Sequence, residues 1–190
     1  MSSQTVNQAD HLQMETHFLS RTNLHRKLVQ KFCQKIYQLD PNKFQELPNR
    51  ATTHDQSKYD EPEKIAYIYI TWKYHCRDNH MEFLQDKDME TRAIQATEHH
   101  IKTNRHHPEF HSTQETNLIN PSNRDRPNGN IIDATLMEDL DIAEMVADWC
   151  AVSEERGTCP FDWAMANIGT RWKFTDRQEV LIHWLINKIW

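Results

Sequence analysis

Scarcity of glycine is the feature of this sequence that most constrains its fold. Only 3 of the 190 residues are glycine. Folds built on many tight turns, or on backbone loops that hold phosphate, need glycine where φ is positive or where the backbone approaches a ligand. Neither GxGxxG nor GxxxxGK[ST] occurs in the chain. The composition therefore disfavours many-stranded barrels and dinucleotide-binding sheets.

Hydrophobic periodicity predicts an all-α fold, a single bundle of roughly six helices. Pro62 marks one helix start, Gly157 marks a helix end, and Thr175 to Gln178 fits a capping box. Residues 65–72 are β-branched and aromatic, but we expect a helix there because a start signal precedes them and turn residues are missing until Asp78. The expected helices cover residues 24–39, 60–78, 88–104, 136–156, 160–169 and 175–190.

The remaining segments divide the chain. Residues 1–16 are expected to form a flexible polar tail, and residues 17–190 a single helical domain that binds metal. Residues 40–53 are predicted to connect two helices. Residues 111–133 are polar and contain prolines, so we expect a long loop that is mobile or functional.

The net charge and the cysteine pattern limit which binding partners and which cellular compartment we expect. Lys and Arg number 22 and Asp and Glu number 28, a formal charge of −6 that disfavours nucleic acid as the main partner. The N-terminus lacks an apolar signal core, and no apolar run is long enough to span a bilayer. The four cysteines form no CxxC pair. We therefore expect a cytoplasmic protein that does not enter membranes.

Several polar residues are predicted on apolar helix faces. His25, His100 and Asp148 each have apolar neighbours three or four positions away, and His54-Asp55 lies in a separate connection. A single inward histidine is more often a hydrogen-bonded core residue. Together, however, these residues form the donor set that a helical scaffold offers to a divalent metal. Imidazole and carboxylate ligands suit Mn, Fe, Co, Ni or Zn.

Three strings carry a resemblance to a known superfamily: HDQSKYD (54–60), EHHIKTNRHHPEF (98–110) and IAEMVADWCAVS (142–153). They resemble an uncharacterised family within the HD-domain superfamily of metal-dependent phosphohydrolases, and so imply an HD-like bundle. The resemblance implies one or two divalent ions. It assigns His25, His54, Asp55 and Asp148 to one ion, and His100 with either His106 or His107 to a second.

The resemblance also implies an activity. We expect hydrolysis of a small phosphorylated metabolite, with a nucleotide favoured, by a water that the metal activates. Asp55 would accept a proton from that water, and Lys58, Arg92 or Arg105 would offset phosphoryl charge. His106 or His107 would protonate the leaving group.

Two alternatives stay open at this stage. The same superfamily includes di-iron oxygenases, which use the same six-ligand His-HD-His-His-Asp set. A non-catalytic helical interaction module is the other alternative, with a partner surface made by the tryptophans Trp163, Trp172, Trp184 and Trp190.

Overall fold

The predicted all-α fold is confirmed in a computed structural model, which describes residues 8–114, 118–120, 126 and 129–190. These residues form seven helices rather than six, with one pair of two-residue strands. The helices are α1 (Gln8–Leu39), α2 (Leu47–Thr53), α3 (Lys64–Asp78), α4 (Lys87–Thr103), α5 (Asp139–Arg156), α6 (Pro160–Asn167) and α7 (Asp176–Ile189). The strands β1 (Ile132–Asp133) and β2 (Trp172–Lys173) pair in parallel.

Helices α1 and α5 pack against each other and form the larger hydrophobic core. Val29, Phe32 and Ile36 on α1 and Ile142 and Val146 on α5 are at most 1% exposed. Helix α7 covers the same core with three fully buried side chains, Ile182, Leu185 and Ile186. Burial of this apolar surface supplies most of the free energy that holds the bundle together.

A second, smaller core lies at the other end of α1. There Phe18 packs with Tyr67 and Ile68 of α3 and with Ala93 and Ala96 of α4. The aromatic and β-branched segment of α3 is therefore helical, as predicted, because its apolar face is buried against two neighbouring helices.

Two helix boundaries agree with their sequence signals. Gly157 ends α5 with a φ of 63°, a left-handed conformation that glycine adopts at little cost. Thr175 caps α7 in a capping box, in which its side chain accepts from the backbone of Gln178 and the Gln178 side chain accepts from the backbone of Thr175.

The predicted tail differs from the structure. Helix α1 begins at Gln8, so residues 8–16 are helical, while residues 1–7 lie outside the described residues. This part of α1 contains no glycine or proline. Met14 packs against the smaller core, and Glu15 forms an ion pair with Lys64 on α3 at 2.9 Å. Tertiary contacts therefore hold a polar segment in helical form.

The predicted connections also contain structure. Helix α2 lies in the segment 40–53 and was missed because a helix of 7 residues is too short for its periodicity to be detected. In the predicted loop 111–133, Leu118 and Ile119 are buried in the larger core and Ile132 starts β1. Residues 115–117, 121–125, 127 and 128 of that loop lie outside the described residues.

Within the described ranges, no helix combines the length and the apolarity that a membrane crossing requires. The cysteines Cys33, Cys76, Cys150 and Cys159 are free thiols.

Candidate metal centre

The dipeptide His54-Asp55 forms a sharp turn directly after α2. Asp55 has a φ of 57°, in the left-handed region that few residues other than glycine adopt. Both side chains are almost completely buried, with 2% of His54 and 1% of Asp55 exposed. The turn thus directs two adjacent polar side chains into the protein, in a backbone conformation of the kind found at functional sites.

Three helices bring further ligand candidates to the same point. The Nε2 atom of His25, on α1, lies 3.0 Å from Oδ1 of Asp148 on α5 and 3.6 Å from Oδ2 of Asp55. The Nε2 atom of His100, on α4, lies 3.1 Å from Oδ1 of Asp55. His54 Nε2 lies 3.7 Å from the same oxygen and 3.9 Å from Asp148 Oδ1. Residues far apart in sequence therefore converge on two carboxylates.

His106 joins this cluster from the segment after α4. Its Nε2 atom lies 3.7 Å from Asp55 Oδ1, and its ring centroid lies 4.1 Å from that of His54. His107 is adjacent, with ring centroids 4.3 Å from His106 and 4.9 Å from His100. The sequence left open which of the two is a ligand. The geometry brings His106 within reach of Asp55, and both histidines line the neighbouring cavity.

Each of the four clustered histidines has a glutamate beside its Nδ1 atom. The pairs are His25 with Glu155 at 2.6 Å, His54 with Glu144 at 3.0 Å, His100 with Glu63 at 2.9 Å, and His106 with Glu144 at 3.5 Å. A carboxylate beside one ring nitrogen fixes the tautomer and orients the other nitrogen, which is the usual arrangement around histidines that bind metals. The glutamates therefore direct the four Nε2 atoms toward the two aspartates.

The residues present fit a divalent cation. His54 Nε2 and Asp55 Oδ1 are buried without a hydrogen-bond partner among the described residues, which is costly unless another group satisfies them. Ligand atoms lie within 4.8 Å of one another in three overlapping groups: His25 with His54 and Asp55, His54 with His106 and Asp148, and His100 with His106 and His107. Imidazole and carboxylate donors in this number match first-row divalent metals.

The charges of the centre are strongly coupled. Burial alone would lower the pKa of His25, but hydrogen bonds to Asp148 and Glu155 raise that pKa to about 9. Burial would raise the pKa values of Asp55 and Asp148, yet Lys58 beside Asp55 and His25 beside Asp148 hold both values well below the usual range. Both aspartates are therefore ionised, as metal ligands must be.

A cavity of about 790 Å³ opens from this centre. The residues that line it include His25, Asp55, His100 and Asp148 of this centre, together with Trp163 of α6 and Trp172 of β2. Its volume lies in the range of sites that bind small molecules.

Cationic side chains also line the cavity. Lys58 Nζ contacts Asp55 Oδ2, and the Lys58 side chain is 18% exposed. Although burial opposes it, the charge of Asp55 raises the pKa of Lys58, so the ammonium stays charged. Arg21 and Arg171 line the same cavity. Each of these cations also pairs with an acid: Lys58 with Asp55, Arg21 with Glu155 at 3.5 Å and Arg171 with Glu109 at 3.7 Å.

Two predicted substrate contacts are not brought to this cavity. Arg92 is exposed on α4, and Arg105 binds Asp141 through two nitrogens at 3.1 and 2.9 Å. Neither arginine is among the residues that line the cavity in the described part of the chain. Their sequence proximity to His100 and His106 is misleading, because successive residues of a helix or turn face different sides.

The supporting glutamates were missed in the sequence. Glu144 lies four residues before Asp148 and thus on the same face of α5, a spacing that offered a usable signal. Arg50 on α2 binds Glu144 at 2.7 Å and the fully buried Asp141 at 2.6 Å. Nothing in the local sequence around Arg50 indicates these contacts, because they depend on how α2 packs against α5.

The tryptophans of the C-terminal part do not form one partner surface. Trp172 is 4% exposed, and Trp163 is half-buried and lines the cavity. Trp184 and Trp190 are 40% and 49% exposed, and Trp190 stacks on Phe32 at 6.1 Å.

Comparison with known proteins places the chain in a family. The family model of DUF5662, a family of unknown function, matches residues 14–187, so the chain belongs to that family. No curated protein and no solved structure matches the chain.

Proposed function

We propose that this member of DUF5662 is a metal-dependent phosphohydrolase of the HD superfamily that acts on a small phosphorylated metabolite, with a nucleotide as the favoured class. The observation that carries the proposal is the convergence of four histidine Nε2 atoms on Asp55 and Asp148, with a glutamate beside each Nδ1. His54 Nε2 and Asp55 Oδ1 support the same proposal, because both are buried without a hydrogen-bond partner among the described residues.

When bound, a divalent cation at this centre supplies Lewis acidity toward water and phosphoryl oxygens. The chain supplies the proton acceptor. Asp55 is ionised, so its carboxylate can hold the metal through Oδ1 and also accept a proton from water. Lys58 holds the other oxygen, Oδ2, and thereby fixes the carboxylate. We propose that Asp55 orients the attacking water and accepts its proton.

The cationic wall of the cavity favours phosphate chemistry over the oxygenase alternative. Lys58 is next to Asp55, and Arg21 lines the same space. Charged donors fixed near a transferring phosphoryl group offset the charge of its oxygens. An oxygenase acting on an uncharged substrate has no comparable need for these residues.

His107 is suited to contact substrate. It lines the cavity, and its Nε2 atom is buried without a hydrogen-bond partner among the described residues. Burial, together with the neighbouring His106 and His100, holds the pKa of His107 well below its usual range, so its ring is uncharged. The environment therefore favours a hydrogen bond from His107 to the substrate over transfer of a proton from a charged ring.

The test is phosphate release from a panel of nucleotides and other phosphomonoesters, after reconstitution with Mn, Fe, Co, Ni or Zn. We expect release that continues without oxygen and disappears in His54→Ala. If the iron-loaded protein consumes oxygen and no compound releases phosphate, this proposal is wrong and the di-iron oxygenase alternative is favoured. An active panel that is unaffected by His54→Ala would assign the phosphate release to a contaminant.

A further inference from the structure

The cavity extends from the histidine centre to a second cluster that the hydrolytic step does not use. We call this cluster the tryptophan end, formed by Trp149, Trp163, Arg171 and Trp172, all of which line the cavity. Trp149 and Trp172 stack with ring centroids 5.5 Å apart and planes at 18°. Trp163 meets Trp172 edge-on at 6.3 Å, and the Arg171 guanidinium lies 4.6 Å from the Trp172 ring centroid.

We propose that the tryptophan end binds a planar aromatic group of the substrate, with Trp163 as the residue that decides this specificity. The inference rests on the proposed function, since the aromatic group is taken to be part of a phosphoester whose phosphate lies at the histidine centre. A phosphate alone needs only a small part of a cavity of about 790 Å³. Three tryptophans are among the residues that line the remaining space, and a flat ring packs most favourably against such aromatic faces.

Trp163 is the ring most available to a ligand. Trp149 and Trp172 are 7% and 4% exposed and cover each other. Trp163, on α6, is only half-buried and lines the cavity. Arg171, over the neighbouring Trp172 ring, adds a delocalised charge of the kind that favours aromatic faces.

The tryptophan end is fixed in place before any ligand arrives. Glu109 is 2% exposed and accepts a hydrogen bond of 2.8 Å from Nε1 of Trp172. One oxygen of Glu109 also lies 3.7 Å from Arg171. Because Glu109 is three residues after His106, one short segment contributes both to the histidine centre and to the tryptophan end. The distance between the two ends of the cavity is thereby set by the fold.

The test compares two ligands that share a sugar and a phosphate and differ in the ring. Adenosine 5′-monophosphate and ribose 5-phosphate are titrated calorimetrically into the full chain with Mn²⁺ present, over times too short for turnover to matter. We expect the compound with the ring to bind at least about tenfold more tightly, the size that stacking on one aromatic side chain gives. Equal affinity, including no binding of either compound, would overturn the proposal.

Variants of Trp163 then assign the effect to this residue. We expect Trp163→Leu, which keeps apolar bulk without a π face, to lose the ring preference, and Trp163→Phe to keep most of it. Trp184→Leu is the matched control, because Trp184 is 40% exposed on α7 and is not among the cavity-lining residues of the described chain. An unchanged preference in a folded Trp163→Leu would overturn the assignment.

Failure of this inference is distinguishable from failure of the proposed function. The ring preference is a binding measurement and requires no phosphate release. If ribose 5-phosphate and adenosine 5′-monophosphate bind equally well and release phosphate equally well, the proposed hydrolase activity stands and the proposed aromatic site is wrong. If adenosine 5′-monophosphate binds more tightly but no compound releases phosphate, the proposed aromatic site stands and the proposed hydrolase activity is wrong.

Discussion

The histidine centre and the tryptophan end line one cavity but are held by different forces. At the centre, buried polar atoms face one another, and His54 Nε2 and Asp55 Oδ1 have no hydrogen-bond partner among the described residues. At the tryptophan end, Trp149 and Trp172 are stacked and the indole N–H of Trp172 is satisfied by Glu109. Among the described residues, the first region therefore leaves two ligand atoms unsatisfied, whereas the second leaves Oε2 of Glu109 unsatisfied and is held largely by ring packing.

Because of this difference, we expect substitutions at the histidine centre to affect metal binding and substitutions at the tryptophan end to affect substrate binding. Changes at the centre should alter metal content first and catalysis as a consequence. Changes at the tryptophan end should alter ligand preference or stability and leave metal content as it is.

The largest effect is expected at the turn after α2. His54→Ala or Asp55→Ala should abolish both metal binding and phosphate release, because each removes a buried ligand atom that has no hydrogen-bond partner among the described residues. Most helicity should remain, since neither side chain belongs to the hydrophobic cores. Elemental analysis, phosphate assays and circular dichroism check the three results. His11→Ala, at an exposed position of α1, is the control and should change none of them. Full metal occupancy in His54→Ala would refute the assignment of the centre.

A smaller effect on turnover is expected for Lys58→Met. Lys58 lines the cavity and is not a metal donor, so kcat should fall about 100- to 1000-fold, the usual cost of removing one charge-stabilising donor. Metal content should stay at the wild-type value. Arg92→Met, on the exposed face of α4, is the matched control and should retain activity. Loss of metal in Lys58→Met would mean that the lysine acts on the centre itself.

Glu144→Gln should weaken metal binding without abolishing it. Glu144 is beside the Nδ1 atoms of both His54 and His106, and supporting carboxylates of this kind contribute about 10- to 100-fold to metal affinity. Competition with a metal indicator measures the change. Glu154→Gln on the same helix is the control, because Glu154 pairs with Lys31 at the surface. An affinity equal to that of the wild type would show that the glutamate contact does not orient the histidines.

The smallest effect is expected from Glu109→Ala at the tryptophan end. Its loss leaves the buried indole N–H of Trp172 without its acceptor, which should lower the free energy of unfolding by about 1–3 kcal/mol. Metal content should not change. Thermal or urea unfolding measures the free energy of unfolding, and elemental analysis measures the metal content. A drop in metal content would show that the two ends of the cavity are not separable.

The two regions also differ in how far the sequence predicts them. His25, His100 and Asp148 are polar residues on apolar helix faces, so local periodicity was sufficient to direct them inward, and the structure brings them together with His54-Asp55. The all-α fold, the capping box at Thr175 and the helix end at Gly157 follow from equally local signals.

Contacts between distant segments were not predictable in this way. Arg50 and Glu155 are ordinary charged residues of their own helices, and Glu63 directly precedes α3. The role of all three depends on which helix packs beside them. Trp172 lies in a two-residue strand whose partner is 40 positions away. Arg92 and Arg105 show the opposite case, since they are close in sequence to the histidines but are not among the residues that line the cavity in the described part of the chain.

Anomalous scattering from crystals grown without chelator and supplied with Mn²⁺ tests the central claim most directly. We expect one or two strong peaks within bonding distance of His54 Nε2 and Asp55 Oδ1, which are among the buried atoms that have no hydrogen-bond partner in the described part of the chain. Crystals that contain bound manganese elsewhere, with no peak at these two atoms, would contradict it.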